Sequence, residues 1–288
     1  MTVIPDSSPV VLLHGWPVTE NHWRHLVPVL GKAGYSIIPI TLPGLGAAPE
    51  GSQSFRKTDL AMWVRNELAR QGITRFALIG HDWGATVAAL LTAELGSAVT
   101  ALVVEEEILP GIDIDIPAPG RDYYPTWHGS FNSVPGLADH LVPTNEAVFY
   151  GEFLAQSAGP PRLDDEAVNS YIQAYSRSGV LEAGLSYYRT RSGDVADVRR
   201  LLTGPLMKTP VLAIGGRYAM GSAVAEGMRL LATNVNGLVF NSSGHYPLEQ
   251  EPIETSQAIL AFLHGYHSTE KHGLSTKPTM LSRLKTSD

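Results

Sequence analysis

Short, almost uninterrupted apolar runs alternate along this chain with segments long enough to be helices, and few folds accommodate that rhythm. The runs are Pro9–Leu13, Tyr35–Ile40, Phe76–Ile79, Val99–Val104, Pro210–Ile214 and Gly237–Phe240. Helices fit between and after them over Asn21–Lys32, Thr58–Gln71, Trp83–Leu95, Ser222–Ala232 and Pro252–His264. Strands without polar alternation are buried on both faces, and helical crossovers make neighbouring strands parallel. The pattern therefore predicts an α/β fold with a mostly parallel sheet flanked by helices. At 288 residues the chain can bury a sizeable core as one domain, with or without an insertion.

One segment breaks the rhythm. Residues 111–206 contain no convincing strand but many aromatics, prolines and helical patterns. "LDDEAVNSYIQAYSR" opens on Asp164 and Asp165, which suit a helix start. "LEAGLSYYRTR" sets Leu181, Leu185 and Tyr188 on one helical face. The expected organisation is a core of residues 1–110 and 207–266, a helical lid over 111–206 and an aperiodic, mobile tail over 267–288.

Composition removes several chemistries. A formal charge of −7 and a pI near 5.8 leave no basic footprint for nucleic acid. With no cysteine, disulfides, thiolate zinc sites and a cysteine nucleophile are excluded. The histidines show no paired ligand spacing, so neither metal nor other cofactor is expected. Met1–Asp6 has no signal pattern, and no apolar run approaches the roughly 18 residues that a membrane span needs. The expectation is a soluble, cytoplasmic enzyme.

The chemistry concentrates at strand ends, where parallel sheets collect reactive groups. The run from Phe76 leads into Gly80-His81-Asp82-Trp83-Gly84, a sharp strand-to-helix turn with a carboxylate at its apex. Asp82 could merely cap the following helix. Its neighbours point instead to a nucleophile. "HGWP" ends the first strand, and the backbone N–H groups of Trp16 and Trp83 are placed to receive a developing oxyanion. His245 follows the last strand in "SSGHYP", the right place in the order nucleophile, acid, histidine. Its acid partner is less obvious. The loop Arg217-Tyr218-Ala219 has no carboxylate, whereas the end of "TALVVEEEILPG" offers Glu105, Glu106 and Glu107.

Together, "HGWP", "LPGLG", "GHDWG" and "SGHYPLEQEP" resemble the α/β-hydrolase fold family, in its epoxide hydrolase and dehalogenase branch with an aspartate nucleophile. The resemblance implies Asp82 as nucleophile, His245 as base, Glu106 as the acid, an oxyanion hole at Trp16 and Trp83, and a cis Trp16–Pro17 bond. "TWHGSFN" and "LSYYRTR" resemble lid segments in which a histidine and a tyrosine hydrogen-bond the leaving oxygen. Carried over, these are His128 and Tyr188, provided the histidine supplies an N–H. Many epoxide hydrolases have their acid near Ala219 instead, so this chain departs from the commoner arrangement.

A carboxylate suits an alkyl electrophile. Displacement at carbon gives an alkyl ester, which water activated by His245 can hydrolyse at the Asp82 carbonyl. A serine would be left as a stable ether. The substrate expected from the resemblance is an apolar epoxide, and the aromatic lid residues Tyr123, Tyr124, Trp127, Phe131, Phe149 and Tyr150 fit such a group. A haloalkane or haloacetate dehalogenase is the alternative. Haloalkane dehalogenases place an asparagine where Trp16 stands, and haloacetate dehalogenases place arginines where Trp83, Ala85 and Thr86 stand. A non-catalytic binding protein of the same fold is the remaining alternative. The family's first two strands are expected to be missing before "HGWP", with a wrongly chosen start codon as the alternative, and their loss would leave Tyr35–Ile40 at the sheet edge. Dimerisation through that edge, or its cover by the tail, is then expected.

Overall fold

The computed structural model describes residues 8–47 and 54–272, with the side chains of 266–272 excepted. Its strands are β1 (Val10–Leu13), β2 (Ile37–Ile40), β3 (Phe76–His81), β4 (Val99–Glu105), β5 (Val211–Gly216) and β6 (Val235–Phe240). They form one sheet in the order β2-β1-β3-β4-β5-β6, with every pairing parallel. The chain leaves β1 in one direction to form β2 and returns to form β3 on its other side. The carboxyl ends of β1 and β3 therefore flank a topological switch point, where an open parallel sheet has a crevice.

Helices α1 (Leu26–Lys32), α2 (Lys57–Arg70) and α3 (Trp83–Leu95) cover the sheet in the first half. The single helix expected over Asn21–Lys32 is instead a 3₁₀ turn at Glu20–Arg24 followed by α1, with Thr19 accepting from Asn21 N. Between β4 and β5 lie only helices among the described residues: α4 (Gly120–Tyr123), α5 (Trp127–Ser133), α6 (Leu137–Leu141), α7 (Glu146–Ala158), α8 (Asp165–Tyr175), α9 (Val180–Arg189) and α10 (Arg191–Leu202). Asp164 caps α8 by accepting from Glu166 N and Ala167 N, as its sequence suggests. The second half closes with α11 (Ala223–Arg229), α12 (Pro247–Gln250) and α13 (Pro252–His272). Helix α13 thus runs past His267, where an aperiodic tail was expected to begin. Residues 273–288 lie outside the described residues.

The core divides about the sheet. On one face, Val11, Leu13, Leu78, Leu102 and Val104 pack with α2, α3 and the lid helices. On the other, Val10, Leu12, Ile79, Val103 and Ile214 pack with α1 and α13. Strand β2 pairs only with β1 among the described residues, and Pro39 is exposed there, a tolerable place for a residue that cannot donate to a ladder. Residues 273–288 of the tail expected to cover this edge lie outside the described residues.

Lys57, at the start of α2, is wholly buried and ties α2 to α9 and α10. Its ammonium is 2.9 Å from Asp194 Oδ2, donates to Tyr187 O and lies 4.0 Å over the Trp83 ring. Burial lowers its pKa to about 8, against the pull of Asp194. Lys57→Met strands the Asp194 carboxylate, and chemical denaturation is expected to show a loss of about 3–5 kcal/mol. Adding Asp194→Asn should recover part of that loss.

Candidate active site

The turn after β3 is built on close approach. A Cβ on Gly84 would lie 2.1 Å from Leu13 O, and one on Gly15 would lie 2.4 Å from the Asp82 side chain. Glycine at both places lets α3 start directly beneath β1 and lets the "HGWP" loop rest on Asp82. Asp82 itself adopts φ 51 and ψ −129, a region costly for a residue with a side chain. It makes no side-chain capping bond to α3. Its Oδ1 accepts from Trp16 N at 2.8 Å instead. The helix-cap reading therefore fails, and the strained turn aims the carboxylate at the switch-point crevice.

His245 sits where β6 has ended and α12 begins, and it is wholly buried. Its amide donates to Ser157 O at 2.9 Å and its carbonyl accepts from His81 Nε2 at 2.9 Å. Gln250 adds support by accepting from Gly244 N and donating to Ala158 O and Pro161 O. Helix α7, between β4 and β5, thus holds the histidine loop in place. The ring nitrogens point at two carboxylates: Nδ1 is 3.0 Å from Glu106 Oε2, and Nε2 is 3.5 Å from Asp82 Oδ2. Burial opposes a charge on this imidazole, but contact with Asp82 and Glu106 prevails and raises its pKa to about 9.

The three glutamates do not obey strand alternation. Glu105 is the last residue of β4, and Glu106 turns to φ 52. Glu105 is directed to His22 Nε2 at 3.1 Å and Leu248 N at 2.9 Å. Glu106 is directed to His245 and accepts from Gly216 N at 2.6 Å and Met220 N at 3.2 Å. Those amides offset part of its burial, which still leaves the pKa raised. Glu107 meets Thr86 Oγ1 at 2.6 Å.

Above the carboxylate, Tyr188 on α9 lies edge-on to Trp16 and Trp83, with ring centroids 5.4 Å away in each case. Burial and the Asp82 charge push its pKa well above the usual phenol range, so it keeps its proton. His128 on α5 lies 5.6 Å from Tyr188 and stacks on Trp16 at 6.0 Å. Helices α5 and α9 thereby bring His128 and Tyr188 to Trp16, whose amide meets Asp82. His128 differs in one respect from the expectation. Its Nδ1 is bonded to Pro125 O, which can only accept, so that nitrogen carries the proton. Burial lowers its pKa to about 4, so the neutral ring presents an Nε2 lone pair to the cavity and not the N–H expected of it. The Trp16–Pro17 bond is cis.

Sequence reasoning missed the layer beneath. His22 joins Glu105 to Glu249, whose other oxygen accepts from Arg24 at 2.8 Å, and its ring stacks on His81 at 4.3 Å. Burial opposes the His22 charge, but Glu105 and Glu249 raise its pKa to about 9. No motif announces this network, because its members come from the 3₁₀ turn, β4 and α12. The buried Nε1 of Trp83 makes no hydrogen bond of normal geometry, and the Tyr188 hydroxyl is the polar group beside it. No helix among the described residues is long and apolar enough to cross a membrane.

Comparison with known proteins agrees with this architecture. The family model for the alpha/beta hydrolase fold matches residues 8–252. A soluble epoxide hydrolase of Corynebacterium sp. (strain C12) is 27% identical over 265 residues, covering 89% of this chain and 90% of that protein. Epoxide hydrolase A of Mycobacterium tuberculosis is 26% identical and covers 91% of this chain and 92% of its own. The crystal structure of Cfl2 from Burkholderia cenocepacia superposes with a TM-score of 0.81 at 28% identity, over 90% of this chain and 88% of that one. Parallel sheet, strand-end turn and family match together establish that this chain belongs to the alpha/beta hydrolase fold family.

Proposed function

We propose that the protein is an epoxide hydrolase that opens an apolar epoxide to a vicinal diol through a covalent ester on Asp82. The observation that carries this reading is the placement of one carboxylate between an amide and a histidine: Asp82 Oδ1 on Trp16 N, Asp82 Oδ2 facing His245 Nε2. A carboxylate held in that way can attack carbon, and its ester can then be cleaved by water on the histidine side.

In the first step an Asp82 oxygen bonds to an epoxide carbon and the C–O bond of the ring breaks. The leaving alkoxide takes the Tyr188 proton, and the His245 imidazolium restores it through solvent. That leaves His245 neutral. Esterification also removes the Asp82 charge that raised the His245 pKa, so the ring becomes a base at the point of need. Water then adds to the Asp82 carbonyl and passes a proton to His245. The oxyanion is received by the amides of Trp16 and Trp83, the latter at the start of α3 and without an intrahelical acceptor. Collapse releases the second hydroxyl of the diol and restores carboxylate and imidazolium. Glu106 fixes the ring throughout. His128, with Nδ1 engaged, acts as a donor only if it takes a second proton, so Tyr188 carries most of the leaving-group role. The relatives named above as epoxide hydrolases support the same reading.

A single turnover in heavy-oxygen water tests the covalent route: label is expected in the Asp82 carboxylate and not in the first diol. Solvent label in that first diol rules the route out. Tyr188→Phe should lower kcat by roughly 100-fold or more, with His128→Gln costing less. Dehalogenation is favoured by one observation, the buried Nε1–H of Trp83, which makes no hydrogen bond of normal geometry and is a suitable halide donor. Halide release from chlorobutane or fluoroacetate, with no diol from any epoxide, would select that reading.

A further inference from the structure

Glu107 has no part in the mechanism above, yet it is buried within the same site. It is 6% exposed, and Thr86, which holds its Oε1, lies one helical turn beyond Asp82, with Thr86 N donating to Asp82 O. Among the described residues no hydrogen bond engages Glu107 Oε2, whereas Oε1 is held by the Thr86 hydroxyl. A buried carboxyl group with one oxygen satisfied and the other unbonded, one helical turn from Asp82, is available to a ligand there.

We propose that Glu107 is a specificity-determining residue that offers a carboxylic-acid O–H to the substrate, so that the preferred epoxide carries a neutral oxygen acceptor close to its ring and anionic epoxides are rejected. This rests on the epoxide hydrolase reading and names the substrate class within it.

The charges around Glu107 agree with a neutral acid. Burial and then Asp82 drive its pKa up to about 8, while Thr86, Arg191 and His245 pull it down. Lys57 on α2 also feels Glu107, but its ammonium is already paired with Asp194. Tyr124, buried beside His245, is pushed up by Asp82 and Glu107 and stays protonated. Two carboxylates so close and so buried do not both ionise cheaply; Asp82 is held by the Trp16 amide and His245, whereas Glu107 has only the Thr86 hydroxyl. A substrate carboxylate would add a further like charge beside them. A neutral ether or carbonyl oxygen accepts the Glu107 proton.

The test compares ethyl glycidyl ether with epoxyhexane, which has a CH₂ in place of the ether oxygen. Wild type should favour the ether in kcat/KM by roughly 3–10-fold, the range of one neutral hydrogen bond. The preference should fade as pH rises through about 8 and Glu107 ionises. Glu107→Gln keeps a donor and cannot ionise, so it should retain the preference and lose its alkaline decline. Glu107→Leu should bring the ratio to about one. A Leu variant that keeps the ratio, or a Gln variant with the wild-type pH profile, overturns the proposal.

Two readouts do not need turnover. The matching diols, titrated by tryptophan fluorescence, should show the same preference in Kd and the same loss in Glu107→Leu. Folding raises this carboxyl from its ordinary 4.5 to about 8, so the native state binds more protons and stability falls as pH rises between those values. The Tm of Glu107→Gln should therefore gain on wild type across that window and level off above it. A constant Tm difference counts against a neutral Glu107. If neither epoxide is turned over, the function proposed above fails, and these readouts still decide the role of Glu107.

Discussion

Asp82→Asn is expected to reduce epoxide turnover by at least about 10⁴-fold while leaving the fold intact. The asparagine amide oxygen can still accept from Trp16 N, and the side-chain volume is unchanged, so the strained turn and the "HGWP" loop should survive. What disappears is the anionic oxygen able to displace at carbon. Asp82→Ala, which lacks any such oxygen, should be no more active. Diol formation by either variant near the wild-type rate would remove the ester from the mechanism. Thermal unfolding measured alongside separates a lost nucleophile from a lost structure. A higher Tm in the asparagine variant would agree with strain and buried charge relieved at φ 51.

His245→Gln is expected to separate the two chemical steps. Asp82 remains able to attack, so the variant should give one equivalent of opened epoxide, and mass spectrometry should find it bound to the protein. Ester hydrolysis should slow by about 10²–10⁴-fold, the range of a lost general base. The wild-type enzyme should show a weaker form of the same behaviour at acid pH. Its imidazole has a pKa of about 9 in the free protein because Asp82 and Glu106 both bear on it. Alkylation removes the Asp82 share, so the ester form has a lower pKa, and acid below that value stalls hydrolysis with the ester in place. A burst that grows as pH falls is the expected signature. A histidine variant that turns over without ester accumulation would assign the base to another group.

The stability of the site follows the same electrostatics with the sign worked through. His22 and His245 have folded values near 9 against an ordinary 6.5. Each contributes stability that is full below 6.5 and lost as pH rises through about 9. The carboxylates responsible, Glu105 and Glu249 for His22 and Asp82 and Glu106 for His245, gather around the ends of β3 and β4, so alkaline pH should first loosen the fold there.

Much of this was legible in the residues. β1 and β5 have no polar side chain, and β3 and β4 carry polar residues only near their ends, because both faces are covered, and a run of that kind needs no alternation to be recognised. Gly80, Gly84 and Gly15 are written into the sequence because backbone approaches there leave no room for a Cβ. The positions of Asp82 and His245 follow from strand ends alone. The split of the first helix was not legible, since it depends on a 3₁₀ turn whose His22 is held by Glu105 and Glu249 from distant parts of the chain.

The three adjacent glutamates mark the boundary. Sequence placed a carboxylate opposite His245 but could only choose among them by resemblance. The positive φ at Glu106 breaks the alternation that would have paired Glu105 with Glu107, and the three diverge to His22, His245 and Thr86. That divergence, like the orientation of His128 toward Pro125 O, depends on which groups other segments bring within hydrogen-bonding distance. Local pattern determined the sheet, the turn and the placement of Asp82 and His245 at strand ends, because each is fixed by nearest neighbours along the chain. Protonation states and the pairing of buried charges were decided by tertiary structure alone, because desolvation and Coulomb forces act across space and pay no regard to sequence distance.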